Sequence, residues 1–249
     1  MILRKIFRAA GIGTALLAAA VALFIAVSWA AEYRPEQRET TIYCPVREIV
    51  PLPDTLTILS WNIGYAGLGD NMDFFYDGGR RVRDSRERTA RNLKEIVETI
   101  SRVNPDIALL QEVDLDSRRS YRIREVDTLR AAFPGYTLAF AYNYKVCWVP
   151  VPLRAPMGRV QAGVVTLSRY APVSTVRYSY PSAFGFPVRL FNLKRCLLEA
   201  EFVTRSGDTV WIGNTHNTAY DTGGMRSDEM RFLGELLRAA SLRGVRSVT

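Results

Sequence analysis

Histidine and cysteine are scarce in this chain of 249 residues. His216 is the only histidine, and the three cysteines, Cys44, Cys147 and Cys196, lack the close spacing of zinc ligands. Long apolar runs are also scarce, since only one, near the N-terminus, approaches the roughly 18 to 20 residues that cross a bilayer. These absences argue against a structural zinc site, a mechanism that uses two histidines of this chain, and a polytopic membrane protein.

The single long apolar run follows a basic N-terminus. Three basic residues among the first eight precede an uncharged stretch from Ala9 to Ala31, in which Trp29 stands where an interfacial aromatic side chain would. The run is longer than a signal-peptide core of roughly 7 to 15 residues, so we expect residues 1–31 to be an uncleaved single-pass anchor in the membrane, with the domain extracytoplasmic. Signal cleavage near Ala31, which would give a secreted protein, is the alternative. Either placement permits a disulfide between two of the cysteines without indicating which two.

The remaining sequence is typical of a globular domain behind a short connection. Residues 32–54 contain four prolines among mixed polar residues, which indicates a stalk or a strap across the domain surface. Apolar residues make up 48% of the whole chain, and residues 55–249 show no repeat and no low-complexity segment. We therefore expect one folded domain over 55–249.

Hydrophobic periodicity predicts the elements of this domain. Helical spacing of apolar residues covers 85–103, 123–132 and 225–240. Runs typical of β-strands cover 55–62, 107–110, 136–141, 163–168, 173–178, 189–204 and 209–215. Because the helices lie between and after adjacent, hairpin-linked strands, the order predicts an α/β sandwich with mixed sheets rather than a purely parallel sheet.

The net charge of +8 includes two clusters of arginine, over 80–91 and 118–124. Acidic residues are interspersed, so one interpretation is solvated helix faces or contact with anionic lipid near the anchor. The other interpretation is a basic rim that attracts a phosphate-bearing substrate.

Three polar residues stand where predicted strands end. Asn62 is the last residue of the run LSWN, and Glu112 is the last residue of LLQE. His216 comes directly after the predicted strand that ends in IGNT. A carboxylate at the tip of a strand suits a hard cation such as Mg²⁺, and an imidazole there suits proton donation to a leaving oxygen or a bond to a phosphoryl oxygen. Each residue alone has an ordinary alternative: a salt-bridged surface acid, a turn-capping amide and a structural histidine.

The order of these motifs resembles that of the endonuclease/exonuclease/phosphatase superfamily, in particular a membrane-anchored bacterial branch. The motifs are WNIG, LLQEVD, the segment GVVTLSRYAP and NTHN, spread over about residues 55–237. The resemblance implies a four-layered α/β sandwich with two central mixed β-sheets, and phosphoester hydrolysis with Mg²⁺ or, as a second choice, Mn²⁺. It implies that Glu112 and Asn62 hold the metal, that His216 and Asn62 act in catalysis, and that Asn143, Tyr144 and Asn217 contact the substrate.

The sequence also departs from that pattern. Family members continue after the helix that matches 225–240 with a strand ending in GDxN and later with SDH, and neither motif occurs here at that place. We therefore expect the C-terminal part of the sandwich to be missing from this chain. The predicted function is a metal-dependent phosphoesterase at the membrane, acting on nucleic acid, a lipid head group or a small phosphoester. The alternative is a catalytically inactive remnant that binds metal or phosphate only.

Overall fold

The chain folds into two five-stranded sheets, flanked by helices and preceded by a long N-terminal helix. The computed structural model describes residues 2–44, 48–181, 184–219 and 223–249. The helices are α1 (Ile2–Ala30), α2 (Arg86–Val103), α3 (Glu125–Ala132) and α4 (Met225–Leu242). The strands are β1 (Arg38–Thr40), β2 (Ile42–Cys44), β3 (Ile58–Asn62), β4 (Ile107–Asp114), β5 (Thr137–Val149), β6 (Gly158–Ser168), β7 (Ser174–Ser179), β8 (Cys196–Val203), β9 (Thr209–Thr215) and β10 (Arg246–Val248).

Both sheets are mixed, as predicted. The strand orders are β2-β5-β6-β4-β3 and β1-β7-β8-β9-β10. Among the described strands, β3 pairs in parallel with β4 and β10 pairs in parallel with β9, while the other neighbours are antiparallel. Each parallel pair is joined through a helix, α2 in the first sheet and α4 in the second, because parallel neighbours need a crossover.

Three apolar layers hold the four layers of structure together, which confirms the predicted sandwich. Helices α2 and α3 pack on the outer face of the first sheet, and α4 packs on the outer face of the second. Between the sheets, residues of β4 and β5 meet residues of β8 and β9, including Leu109, Ala139, Leu198, Phe202 and Ile212. Residues at the ends of β4 and β9 are therefore brought close together across the two sheets.

Local signals place α2 behind the first sheet. Ser85 caps its N-terminus, since its side chain accepts a hydrogen bond from the Arg88 amide. Asn104 ends it with φ = +52°, a left-handed conformation that asparagine tolerates better than most residues, and Pro105 follows. The predicted bounds of 85–103 are confirmed to within one residue.

Several segments differ from the predictions. Strands β4, β5 and β6 are longer than the predicted 107–110, 136–141 and 163–168, and β10 was not predicted. The strand predicted over 189–204 begins only at Cys196, because Val188–Phe191 form a 3₁₀ turn after Pro187. Part of the predicted stalk adds one edge strand to each sheet, and Leu52 is buried against the second sheet. Residues 45–47 of that segment lie outside the described residues. Cys147 and Cys196 are free thiols, the first exposed and the second buried.

Candidate active site

A bulge in β4 presents Glu112. The pairing of β4 with β6 shifts between Leu110 and Val113, and Glu112 lies in that bulge with φ = +55°. A left-handed conformation at a residue other than glycine is costly and is found where the surrounding structure imposes it. As a result the Glu112 side chain stays 22% exposed, while Gln111 and Val113 on either side are buried.

Gly163 on β6 fits this bulge. It pairs with Val113 of β4 and with Tyr142 of β5, and a Cβ atom there would lie 2.0 Å from the carbonyl oxygen of Ala141. Only glycine permits this close approach of the strands. Gly163, which begins the GVVTLSRYAP motif, therefore has a packing role near Glu112.

Asn62, Glu112 and His216 come together at this edge. Asn62 ends β3 and donates from Nδ2 to Glu112 Oε1 at 2.9 Å, while its Oδ1 accepts from the Gly64 amide. His216 follows β9 of the other sheet, and its Nε2 lies 3.4 Å from the same Glu112 oxygen. Two sheets thus bring together the three side chains that the sequence placed at strand ends.

The surroundings keep Glu112 ionised. Burial alone would raise its pKa, but the hydrogen bond from His216, the charge of Arg119 and the hydrogen bond from Asn62 lower the pKa to about 2. The site therefore holds a carboxylate over the whole neutral range.

A buried ion pair lies just beyond Glu112 on the same strand. Asp114 is fully buried and accepts bonds from Nε and Nη2 of Arg119, and the Arg119 guanidinium lies 3.8 Å from the centre of the Tyr65 ring. Sequence reasoning missed this pair, although Asp114 stood in the LLQEVD motif. Arg119 belongs to the second arginine cluster, so the interpretation of that cluster as a solvated face is wrong for this residue.

An amide pair connects the two sheets behind the site. Gln111 Nε2 donates to Asn214 Oδ1 at 2.8 Å, and Asn214 Nδ2 donates to the carbonyl oxygens of Leu110 and Val165. Because Asn214 is buried and lies two residues before His216, these bonds fix the end of β9 against β4. The first asparagine of the GNTHN run, Asn214, is the sequence signal for this contact.

Arg195 and Glu229 support the segment that carries His216. Arg195 donates from Nη1 to the carbonyl oxygen of His216 at 2.6 Å. The buried Glu229 of α4 accepts from the side chain of Asn217 and from both the amide and the hydroxyl of Thr218. Asn217, expected to contact substrate, is thus placed beside His216, with its side chain hydrogen-bonded to the protein.

Asn143 and Tyr144 lie on β5, further from Glu112. Asn143 is buried and its Oδ1 accepts from the amide of Cys196, at the start of β8. Tyr144 is also buried, and its hydroxyl donates to the carbonyl oxygen of Phe191. Asn143 thus joins the two sheets, and Tyr144 holds the 3₁₀ turn that precedes β8. Contact of either side chain with a substrate stays a prediction.

An open cavity of about 500 Å³ adjoins Asn62 on the side of α2. Its walls combine apolar and polar side chains, among them Trp61, Asn62, Leu68, Asn92, Glu95 and Ile96. The size falls within the range of small-molecule sites.

The donor set fits a hard cation that keeps most of its water. Asn62 and His216 both contact Oε1 of Glu112, and within the described ranges no residue donates to Oε2. The described part of the chain holds no group of three or more His, Cys, Asp or Glu residues that could bind a metal together. The remaining Glu112 oxygen matches Mg²⁺, which is often held by one or two carboxylates plus water and substrate phosphate. The Asn62 amide turns its nitrogen toward Glu112 and its oxygen toward the Gly64 amide.

Comparisons with known proteins agree with this fold. The model of the Endonuclease/Exonuclease/phosphatase family matches residues 59–245. A solved endonuclease/exonuclease/phosphatase from Beutenbergia cavernae is 23% identical with a TM-score of 0.50, over 72% of this chain and 43% of that one. The structure of ANGEL2, a 2′,3′-cyclic phosphatase, is 16% identical with a TM-score of 0.50, over 74% of this chain and 47% of that one.

These likenesses concern the fold, because both identities are below 25%. The aligned region spans less than half the length of either solved chain. A comparison with curated proteins gives no match.

Proposed function

Because the chain belongs to the endonuclease/exonuclease/phosphatase family, we propose that it hydrolyses phosphoester bonds with a divalent metal at the site formed by Asn62, Glu112 and His216. The observation that carries the proposal is the meeting of these three side chains, from two sheets, around one carboxylate oxygen. An anionic, a polar neutral and a basic group at one sheet edge suit metal binding, phosphate orientation and proton transfer.

The proposed roles combine the family resemblance with the contacts. Mg²⁺, with Mn²⁺ as the second choice, would be held by Glu112 and Asn62 and would stabilise charge on the phosphoryl group. Asn62 keeps the Glu112 carboxylate in place from one side. His216 donates a proton to the leaving oxygen or a hydrogen bond to a phosphoryl oxygen, and Arg195 holds its backbone in position. Asn143, Tyr144 and Asn217 contribute to substrate binding in this proposal.

The test is hydrolysis of a phosphodiester and a phosphomonoester by the full chain in detergent, with Mg²⁺ and with Mn²⁺. Glu112→Gln removes the charged ligand and nearly keeps the shape, so we expect turnover to fall at least about 10²-fold. Glu98→Gln is the matched control, since that glutamate is exposed on α2, and it should keep full activity. Substrates with nucleotide, lipid head-group and small leaving groups then define the substrate class.

The alternative function, binding without turnover, is separated by a second readout. Mn²⁺ binding to the full chain, followed by electron paramagnetic resonance, should be weakened by Glu112→Gln. Metal binding without hydrolysis of any tested phosphoester would support the inactive alternative. No metal dependence and no turnover would contradict the proposal.

The proposal includes attachment to the membrane through α1. Residues Ile2–Ala30 form a helix with mean hydropathy 2.4 in its most apolar window and no buried residue in that window. Only the last part of α1 contacts the domain, since Phe24 stacks on Phe191 and Ser28 lies beside Cys147. These contacts favour a retained anchor over a cleaved signal.

Alkaline carbonate extraction of membranes tests the attachment. We expect the full chain in the pellet with its N-terminus intact. A soluble protein with a new N-terminus near Ala31 would support the secreted alternative.

A further inference from the structure

A small cavity, whose lining does not include Glu112, lies between the end of α1 and the strands β5 and β6. It has a volume of about 230 Å³. The lining residues are Ala31, Lys145, Val146, Cys147, Arg159 and Gln161. Two of these six side chains are cations and none is an anion, so the cavity suits an anionic group.

The charges of the cavity are only partly compensated. Arg159 pairs with Asp116 at 3.2 Å. Lys145 makes no ion pair within the described ranges, and its ammonium group lies over the rings of Tyr33 and Tyr142, at 4.9 and 4.5 Å from their centres. A cation held by aromatic faces retains its attraction for an anion.

Helix α1 indicates how deep this cavity would lie relative to a membrane. If α1 crosses the bilayer, Trp29 and Ala31 lie at the boundary where lipid head groups begin. Phe24 lies five residues before Trp29, or about 7.5 Å deeper along a helix with a rise of 1.5 Å per residue. Phe191 stacks on Phe24, so its turn reaches the apolar side of that boundary.

The turn next to Phe191 has the side chains for such a position. Phe186 is 59% exposed and Val188 is 51% exposed, and both precede Arg189. Exposed aromatic and aliphatic groups with a neighbouring cation are typical of segments that lie in the bilayer interface.

We propose that the cavity binds the phosphate of an anionic phospholipid, while the segment 184–191 lies against the bilayer beside α1. The proposal rests on the membrane attachment proposed above. A lipid is favoured over free phosphate because the cavity adjoins the membrane helix, and exposed apolar residues lie on that same helix-proximal surface.

This contact would bring the head-group layer to the end of the sandwich that carries Glu112. Gln161 accepts a bond at its carbonyl oxygen from the Leu115 amide, and Arg159 pairs with Asp116, so both cavity residues contact the segment that follows β4. The bound lipid would therefore orient the domain with the end that carries Glu112 near the membrane surface.

The exposed thiol of Cys147 reports on the cavity. The full chain is placed in nanodiscs of phosphatidylcholine, with or without phosphatidylglycerol, and treated with neutral iodoacetamide. Peptide mass spectrometry follows alkylation of Cys147 separately from the other cysteines. We expect phosphatidylglycerol to slow this alkylation.

Charge variants give the specificity of the effect. Lys145→Gln should raise the phosphatidylglycerol fraction needed for half-protection about fivefold, as expected for one basic residue near a membrane surface. Lys94→Gln, on the exposed face of α2, is the matched control and should leave it unchanged. If Lys145→Gln does not fold, as judged by circular dichroism, Arg159→Gln serves the same purpose.

Three outcomes would overturn the proposal. Equal alkylation rates in both lipid compositions would exclude a lipid in the cavity. Equal protection by inorganic phosphate in phosphatidylcholine nanodiscs would exclude a lipid-specific site, and protection that grows with protein concentration in detergent would assign the surface to a second copy of the chain. Because no readout involves hydrolysis, failure of the proposed enzymatic function leaves this result intact.

Discussion

Glu112 and Asp114 lie two residues apart on β4, and the structure treats their carboxylates in opposite ways. The Glu112 side chain is 22% exposed, and both recorded bonds end on one oxygen. Asp114 has no exposure, and Arg119 holds both of its oxygens. The difference shows how one strand can hold two kinds of carboxylate: its bulge leaves Glu112 partly exposed, and Asp114 joins a buried ion pair beside the bulge.

The largest expected effect is on stability and concerns Asp114, the buried carboxylate. Asp114→Asn removes the charge that compensates Arg119, so we expect the free energy of unfolding to fall by about 3–5 kcal/mol. Thermal and denaturant unfolding of the full chain in detergent, followed by circular dichroism, measure this. Asp127→Asn, at a partly exposed surface pair, should change it by less than about 1 kcal/mol. Equal losses in the two variants would mean that the Asp114–Arg119 pair has no special weight.

The second prediction concerns Glu112, the partly exposed carboxylate, through its neighbour His216. His216→Gln keeps a hydrogen-bonding group near Glu112 but removes the imidazole, so phosphoester turnover should fall by about 10²-fold or more, which equals about 2.7 kcal/mol. The midpoint of thermal unfolding should change little, because the His216 side chain is partly exposed. Steady-state kinetics and thermal unfolding on the same preparation measure both quantities. A variant that unfolds early and loses activity in proportion would show that His216 is structural.

The sequence was sufficient for the layers and for the meeting of Asn62, Glu112 and His216, although Glu112 lies inside β4 and not after a strand end as predicted. Helical spacing predicts α2 because that helix buries one face, and the apolar run of β9 predicts a strand whose middle is buried on both faces. The polar residues at the ends of β3 and β9 interrupt clear apolar runs. The bulge at Glu112 was beyond such reasoning, since it depends on the register of β4 against β6.

Arg119 and Lys145 illustrate the other difficulty. Both are basic residues in otherwise ordinary surroundings, and nothing in the local sequence separates a buried cation from a solvated one. Only the tertiary structure brings Asp114 to the first and two tyrosine rings to the second. The packing of the tertiary structure decides which distant residues contact each cation, and hydrophobic periodicity does not predict those contacts.

The smallest expected effect extends the comparison to Glu125, the third carboxyl near the bulge. Its Oε2 accepts a bond from the Asp114 amide, and its Oε1 is buried without a hydrogen-bond partner among the described residues. Burial, followed by the nearby charge of Asp114, raises the pKa of Glu125 well above the ordinary 4.5. The folded state therefore binds a proton that the unfolded state releases above that pH.

The sign of the resulting pH dependence follows directly. Because the folded pKa is raised, this contribution to stability is complete below pH 4.5 and is lost as the pH rises toward the folded pKa. Relative to Glu125→Gln, the native chain should therefore lose unfolding free energy as the pH rises from 5 to 6, by no more than the limit of about 1.4 kcal/mol per pH unit for one proton. Unfolding of both proteins at several pH values measures the difference. A constant difference over that range would mean that Glu125 is already ionised in the folded state, and the buried acids beside the bulge would then share charge in another way.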